Sequence, residues 1–236
     1  MAWQLIYTSA PRLLEAGRTG FGTVARHRAV SELVAGAVER LSQFARLPGM
    51  GARRVIRSHR IITAGASQVH VFSCIRDAGS DYTGRTNHLA HHLIAESREV
   101  RAAAEAGITP ADVLLQMSWR TSWSEPPRFL EPLEEISLMS LRARTLGSAW
   151  ERLAGSSDFN RLPLQTPRCF FILSGEADAL TLIQESLKSM GAESMQVTFT
   201  THLEPTDDVS GLRWVAMNAS SPLRQQADGI ARPVLD

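Results

Sequence analysis

Residues 3–8 (WQLIYT) alternate, with Trp3, Leu5 and Tyr7 on one side and Gln4, Ile6 and Thr8 on the other. A period of two predicts a strand with unlike faces. The next stretch carries Pro11, Gly17, Gly20 and Gly22 and predicts a loop or a glycine-bent return strand. From Ala29 the period lengthens. Val30, Leu33, Val34, Ala37, Val38, Leu41, Phe44 and Ala45 fall at helical spacing, with Ser31 as N-cap and Pro48-Gly49 as terminator. Two β-branched runs, Arg54 to Thr63 and Gln68 to Arg76, flank Ala64-Gly65-Ala66-Ser67 and predict an antiparallel hairpin.

A glycine-bearing turn over 77–84 leads into NHLAHHLIAESREVRAAAEAG (87–107), which is rich in helix formers and predicts one long helix ending at Gly107. Thr109-Pro110 opens a further helix, since proline suits a first turn. The segment 118–132 holds Trp119, Trp123 and three prolines and predicts an ordered irregular crossing, while 133–154 is moderately helical, with Trp150 on its buried face. The stretch 155–167 is the best boundary. Beyond it, Cys169 to Leu173, Glu176 to Met190 and Met195 to Thr200 make a strand, a helix capped by Gly191 and a strand, a βαβ unit; Leu212 to Met217 adds another strand. The pattern therefore predicts an α+β protein. A mixed sheet with an N-terminal strand, an antiparallel hairpin and several helices occupies residues 1–154, a βαβ-containing subdomain over 168–217 packs on it, and 218–236 is a partly ordered tail.

Composition narrows the class. With 236 residues, 44% apolar and 21% charged, the chain is an ordinary globular sequence, neither disordered nor a disulfide scaffold. No apolar run reaches the ~18 residues of a membrane span and the start lacks a signal-peptide pattern, so a cytoplasmic setting is expected. Cys74 and Cys169 are too far apart for a metal knuckle or redox pair and read as buried thiols. The net charge is +1, but residues 1–60 hold ten Arg against Glu15, Glu32 and Glu39. That asymmetry fits either an anion-binding half or two halves that pair electrostatically.

Candidate chemistry lies in two places. GRTGFG sets Gly17, Gly20 and Gly22 beside Arg12 and Arg18, so backbone N–H groups and guanidiniums are available for an anion cradle. The Walker and dinucleotide patterns are absent, no cofactor is expected, and a bend at a sheet edge is the plainer use of these glycines. In DYTGRTNHLAHH, Asp81, Arg85, Asn87 and His88 cluster where a helix N-terminus is predicted, a place that favours anions or simply caps the helix. His88 and His92 would share one helical side, as hydrogen-bonded residues at the core rim or as a metal or acid/base pair. HExxH is missing and no metal site is expected. Nucleic-acid binding is disfavoured, because Trp3, Tyr7, Phe21 and Phe44 are the only aromatics in the basic half.

Two of these segments, YTSAPRLLEAGRTGFGTVARH (7–27) and DYTGRTNHLAHHLI (81–94), resemble the N-terminal domain, type 2, of the GTPase-associated protein 1 family, found in bacterial NTP-dependent conflict systems. CFFILSGEADALTLIQESLKSM and MQVTFTTHL (169–203) resemble the family's middle module more weakly. The resemblance implies a component working beside a GTPase or another NTPase-system protein, and it brings no catalytic residues with it. It points to a non-enzymatic adaptor or sensor that holds a partner protein or a small anionic ligand through Arg12, Gly17, Arg18, Gly20, Gly22, Arg85, Asn87 and His88. The chain is shorter than the larger members, so it would act alone or beside a separately encoded partner. Two other readings stay open: a phosphoester- or nucleotide-processing enzyme using His88 or His92 as acid/base with Arg85 as clamp, and a structural assembly subunit.

Overall fold

The computed structural model describes residues 1–44, 55–143, 168–173, 179–203, 211–218, 234–235 and the single positions 209, 221 and 223. Their strands form one mixed ten-stranded sheet, in the order Val234–Leu235, Cys169–Leu173, Trp214–Asn218, Phe199–Thr200, Val55–Ala64, Ser67–Ser80, Thr86–Glu96, Ala2–Ala10, Gly20–His27, Arg128–Leu130. The first five strands in the chain are β1 (Ala2–Ala10), β2 (Gly20–His27), β3 (Val55–Ala64), β4 (Ser67–Ser80) and β5 (Thr86–Glu96). All neighbouring pairs among them are antiparallel. The glycine-bearing stretch after β1 is thus a loop followed by a return strand. The expected hairpin forms, its turn shortened to Gly65-Ala66 because Ala64 and Ser67 pair, but β4 runs on to Ser80 and leaves only a short turn before β5.

Residues 87–95 were expected to be helical and instead form β5, the strand between β4 and β1. Both faces of that strand are covered. Leu93 and Ala95 join the core beneath helices α2 (Ser97–Glu105) and α3 (Pro110–Gln116), whereas Ala90 and Ile94 pack with Leu5, Tyr7 and Val71 beneath helix α1 (Glu32–Arg40). A strand buried on both faces shows a nearly continuous apolar run rather than alternation. The helix begins only where Glu96, Ser97, Arg98 and Glu99 supply a polar face.

The caps obey the local rules. Ser31 accepts from the Val34 backbone N–H at 3.3 Å, and Thr109 with Asp112 closes a full capping box around Pro110. Between 118 and 132 the chain is irregular except for β6 (Arg128–Leu130), which pairs with β2. Of 133–154, the described part holds only short 3₁₀ turns at Pro132–Glu134 and Leu138–Ser140; Trp150 and the boundary at 155–167 lie outside the described residues.

The last third contains β7 (Cys169–Leu173), α4 (Ala179–Lys188), β8 (Phe199–Thr200) and β9 (Trp214–Asn218). The strands β7, β8 and β9 are parallel, as a βαβ unit requires, with β9 inserted between β7 and β8. Expected as a strand, residues 195–198 are taken by a 3₁₀ turn (Gly191–Gln196) and its exit. The two-residue β10 (Val234–Leu235) pairs with β7, and β8 pairs with β3, so one sheet joins both parts of the chain. Cys74 and Cys169 are buried and free, and burial pushes the Cys169 thiol up to about 11. Among the described residues no helix is long and apolar enough to cross a membrane.

Five histidines are buried in and around the central strands: His59, His70, His88, His91 and His92. Their partners fix the tautomer of three of them. Ser42 gives its hydroxyl proton to the Val38 carbonyl, so its oxygen accepts from His92 Nε2 at 2.9 Å, and His92 Nδ1 accepts from Ser73 at 2.8 Å. His91 Nδ1 accepts from the Arg120 backbone N–H and its Nε2 donates to Gln4. His59 Nδ1 donates to the Val197 carbonyl at 2.7 Å and its Nε2 accepts from His70. A second proton on His91 or His92 would face a donor with a donor, or force the hydroxyls to reorganise.

Burial pushes the pKa of His59, His91 and His92 down to about 3 and that of His70 and His88 to about 4. The unfolded chain titrates near 6.5, so between those limits it binds more protons than the folded one, and stability falls as pH falls. Each ring adds a slope of up to about 1.4 kcal/mol per pH unit. The set is large enough to consume the usual ~5–15 kcal/mol of a domain within roughly two units. The thermal midpoint is therefore expected to be flat above about pH 7 and to drop steeply from about pH 6 to 4.5, as followed by circular dichroism. A midpoint unchanged across that window would overturn the neutral histidine core.

Candidate functional site

Two adjoining hollows open between the β1–β2 hairpin, α1 and the start of β5. The larger, about 600 Å³, is bordered by Tyr7, Leu13, Arg18, Phe21, Gly22, Thr23, Arg26, Glu32, Glu39 and Phe129, among others. The smaller, about 290 Å³, is bordered by Tyr7, Phe21, Gln43, Phe44, Thr86, Asn87 and His88. Tyr7 and Phe21 belong to both. They form a partition of stacked rings with His88 and Phe44: Phe21 lies 4.6 Å from His88 and 6.2 Å from Tyr7, and Phe44 lies 5.7 Å from His88.

Local sequence explains how the walls are held. The loop ahead of β2 bends at Gly17 and Gly20, both with positive φ. Gly22 has another role, since a Cβ there would sit 2.4 Å from Leu13 Cδ1 and the Leu13 side chain would have to shift to make room. The chain returns through hydrogen bonds from Leu13 N–H to Arg18 O and from Leu14 N–H to Thr23 O. Across the hollow α1 presents Glu32, Ala35, Gly36 and Glu39.

The residues expected to bind an anion are spread unevenly around these walls. Arg18 and Gly22 border the large hollow and Asn87 and His88 the small one; Arg12, Gly17, Gly20 and Arg85 border neither. Arg18 is paired with Glu15 at 3.0 Å. Arg85 is turned onto its own turn, its side chain 67% exposed, with Nε donating to Thr83 and Nη2 3.4 Å from Asp81. Asp81 also accepts from the Thr83 hydroxyl, from Ser9 and from the backbone N–H groups of Thr83 and Arg85. Hydrogen bonds, that from the Thr83 hydroxyl first, hold its carboxyl well below the usual range. Asn87 ties β5 to β1 by accepting from the Ser9 N–H at 3.1 Å.

His88 is buried and donates from Nε2 to the Ser42 carbonyl at 2.8 Å. The expectation of a helix N-terminus here does not hold, because Thr86–Glu96 is a strand. His88 and His92 still share a face, but four strand residues separate them by ~13 Å, against ~6 Å on a helix. Among the described residues no group of three or more His, Cys, Asp or Glu is placed to hold a metal ion.

The partition and the acidic wall escaped the sequence reading. Tyr7 was visible as a member of the inward face of β1, and Glu39 as part of the polar flank of α1. Nothing in the sequence joins them to Phe21, Phe44 or Phe129, because that requires the register of β1 on β2 and the placing of β6. Glu39 accepts from both the N–H and the hydroxyl of Thr23. Tyr7 is pushed above its ordinary pKa by burial first and by Glu39 second, with Arg18 opposing.

The two residues proposed for acid/base and clamp chemistry should differ sharply on truncation. Arg85→Ala removes an exposed contact and is expected to leave the thermal midpoint within about 2 °C. His88→Ala removes the centre of the ring stack and leaves the Ser42 carbonyl unpaired, which costs about 2–3 kcal/mol, or roughly 5–10 °C at this size. Differential scanning fluorimetry of the two single variants checks this; equal midpoints would mean that His88 does not hold the partition together.

No curated protein and no solved structure matches the chain. The family model for the GTPase-associated protein 1 N-terminal domain, type 2, matches residues 1–136, more than half of the sequence and the part that carries both hollows. The match does not extend to 169–203, where the likeness to the middle module was seen. On that match, the chain belongs to the GTPase-associated protein 1 family through its N-terminal domain of type 2.

Proposed function

We propose that the chain is a non-enzymatic adaptor or sensor module of a bacterial GTPase-linked conflict system, and that it engages its partner at the face where the two hollows meet. The observation that carries this reading is how the polar groups are used. The histidines of β5 are committed to buried hydrogen bonds with β1, β4 and Ser42 just past α1, while the accessible polar lining sits in the concave surface between α1 and the β1–β2 loop. Concave sites with a few placed polar groups on a rigid frame are the usual seats of binding. The family's association with GTPases supplies the class of partner. Phe21, 37% exposed, and the ring partition behind it give that face an aromatic anchor of the kind that dominates interface energetics.

A tagged copy expressed in the native host is expected to retain a second protein that binds GTP, identified by retention of labelled nucleotide. Phe21→Ala should reduce that retention at least several-fold without unfolding the chain. Recovery of nothing but self-associated copies would overturn the adaptor reading in favour of an assembly subunit.

A further inference from the structure

The larger hollow has an unbalanced charge. Five ionic side chains border it: Glu15, Arg18, Arg26, Glu32 and Glu39. Arg18 is satisfied by Glu15 at 3.0 Å, and Arg26 by Glu32 and the Val30 carbonyl. Among the described residues Glu39 is bonded by neutral donors, the N–H and hydroxyl of Thr23. The lining holds three carboxylates against two guanidiniums, and Glu39 is the one carboxylate of the three without a salt bridge among the described residues, with Arg18 within electrostatic reach of it. Tyr7 senses both: after burial, Glu39 is the larger electrostatic influence on its phenol and Arg18 the smaller.

The second feature is aromatic. Tyr7, Phe21 and Phe129 all border the same space. This rim already accommodates guanidiniums over a ring, since Arg28 lies 4.2 Å and Arg26 5.4 Å from the Phe129 centroid. A carboxylate that forms no salt bridge among the described residues, set among aromatic faces in a cavity large enough for a side chain, is complementary to a planar, weakly hydrated cation. It is a poor match for phosphate, which would meet Glu39 and find both arginines already paired.

We propose that the hollow binds a guanidinium group, with Glu39 as the counter-charge and Phe21 as the ring surface. This deepens the partner-binding reading and rests on it for the choice of face; the group would be an arginine side chain presented by the partner or a free guanidinium compound.

The test is a calorimetric titration of the full chain with three probes: agmatine, the blocked tripeptide acetyl-Gly-Arg-Gly-amide, and inorganic phosphate. Saturable binding of agmatine is expected, weakened about tenfold or more by Glu39→Gln, as loss of a charge-assisted hydrogen bond implies, and about two- to fivefold by Phe21→Leu. Glutamine keeps an acceptor for Thr23, so Glu39→Gln should keep its thermal midpoint, and that is measured alongside. Binding of the tripeptide as well as agmatine assigns the site to a protein arginine, whereas binding of agmatine alone assigns it to a small molecule. Equal affinity in Glu39→Gln, no saturable agmatine binding, or phosphate bound in preference overturns the proposal. Failure to recover a GTP-binding partner leaves this titration untouched, and a negative titration leaves the partner capture untouched, so the two ideas fail separately.

Discussion

A histidine inside a sheet covered on both faces must stay neutral and must find both a donor and an acceptor without water. Much of this fold is arranged around meeting that demand for His91 and His92. Serine on α1's C-terminal side and serine on β4 bracket His92; Gln4 on β1 and the backbone of Arg120 bracket His91. These bonds cross from strand to strand and from sheet to helix or crossing segment. The register of β5 against β1 and β4 is thereby specified by polar contacts as well as by the apolar set. A one-residue slip would expose both failures at once, inverting the faces and stranding the imidazoles.

The hollowed face is a by-product of the same order. Because β5 is central, its first residues deliver Asn87 and His88 to the edge of the α1-covered side, where Asn87 clamps β1 and His88 supports Phe21. The ring stack divides one broad depression into two unequal compartments with different electrostatics. On one side are α1's carboxylates, and on the other are the amide and hydroxyl groups of Gln43, Asn87 and Thr86.

Much of the architecture was legible from residue order alone. The alternation of β1, the Ser31-capped α1, the 3-4 hairpin, the helix opened by Thr109-Pro110 and the parallel unit containing Cys169 to Leu173 were legible because each element carries its own period, cap or turn residues in the local sequence. The exception is β5. Leu, Ala and His satisfy a helix as readily as a strand, and only the partners on β4 and β1 decide between them. The run did carry a warning, because NHLAHHLIA contains no charged residue and so offers no solvated face for a surface helix. The site was harder to read for a related reason. Arg12, Arg18 and Arg85 were visible as cations, but whether a cation is available depends on its partner. Glu15 and Asp81 pair with two of these three.

The margin of the sheet at β6 is three residues long and is fenced by Pro126 and Pro127 on one side and Pro132 on the other. Proline lacks the amide hydrogen that a growing ladder needs. A neighbouring protein therefore cannot easily lengthen the β-structure from this end. Strand augmentation along that border is confined to a ladder of about three residues, too short to sustain runaway polymerisation there.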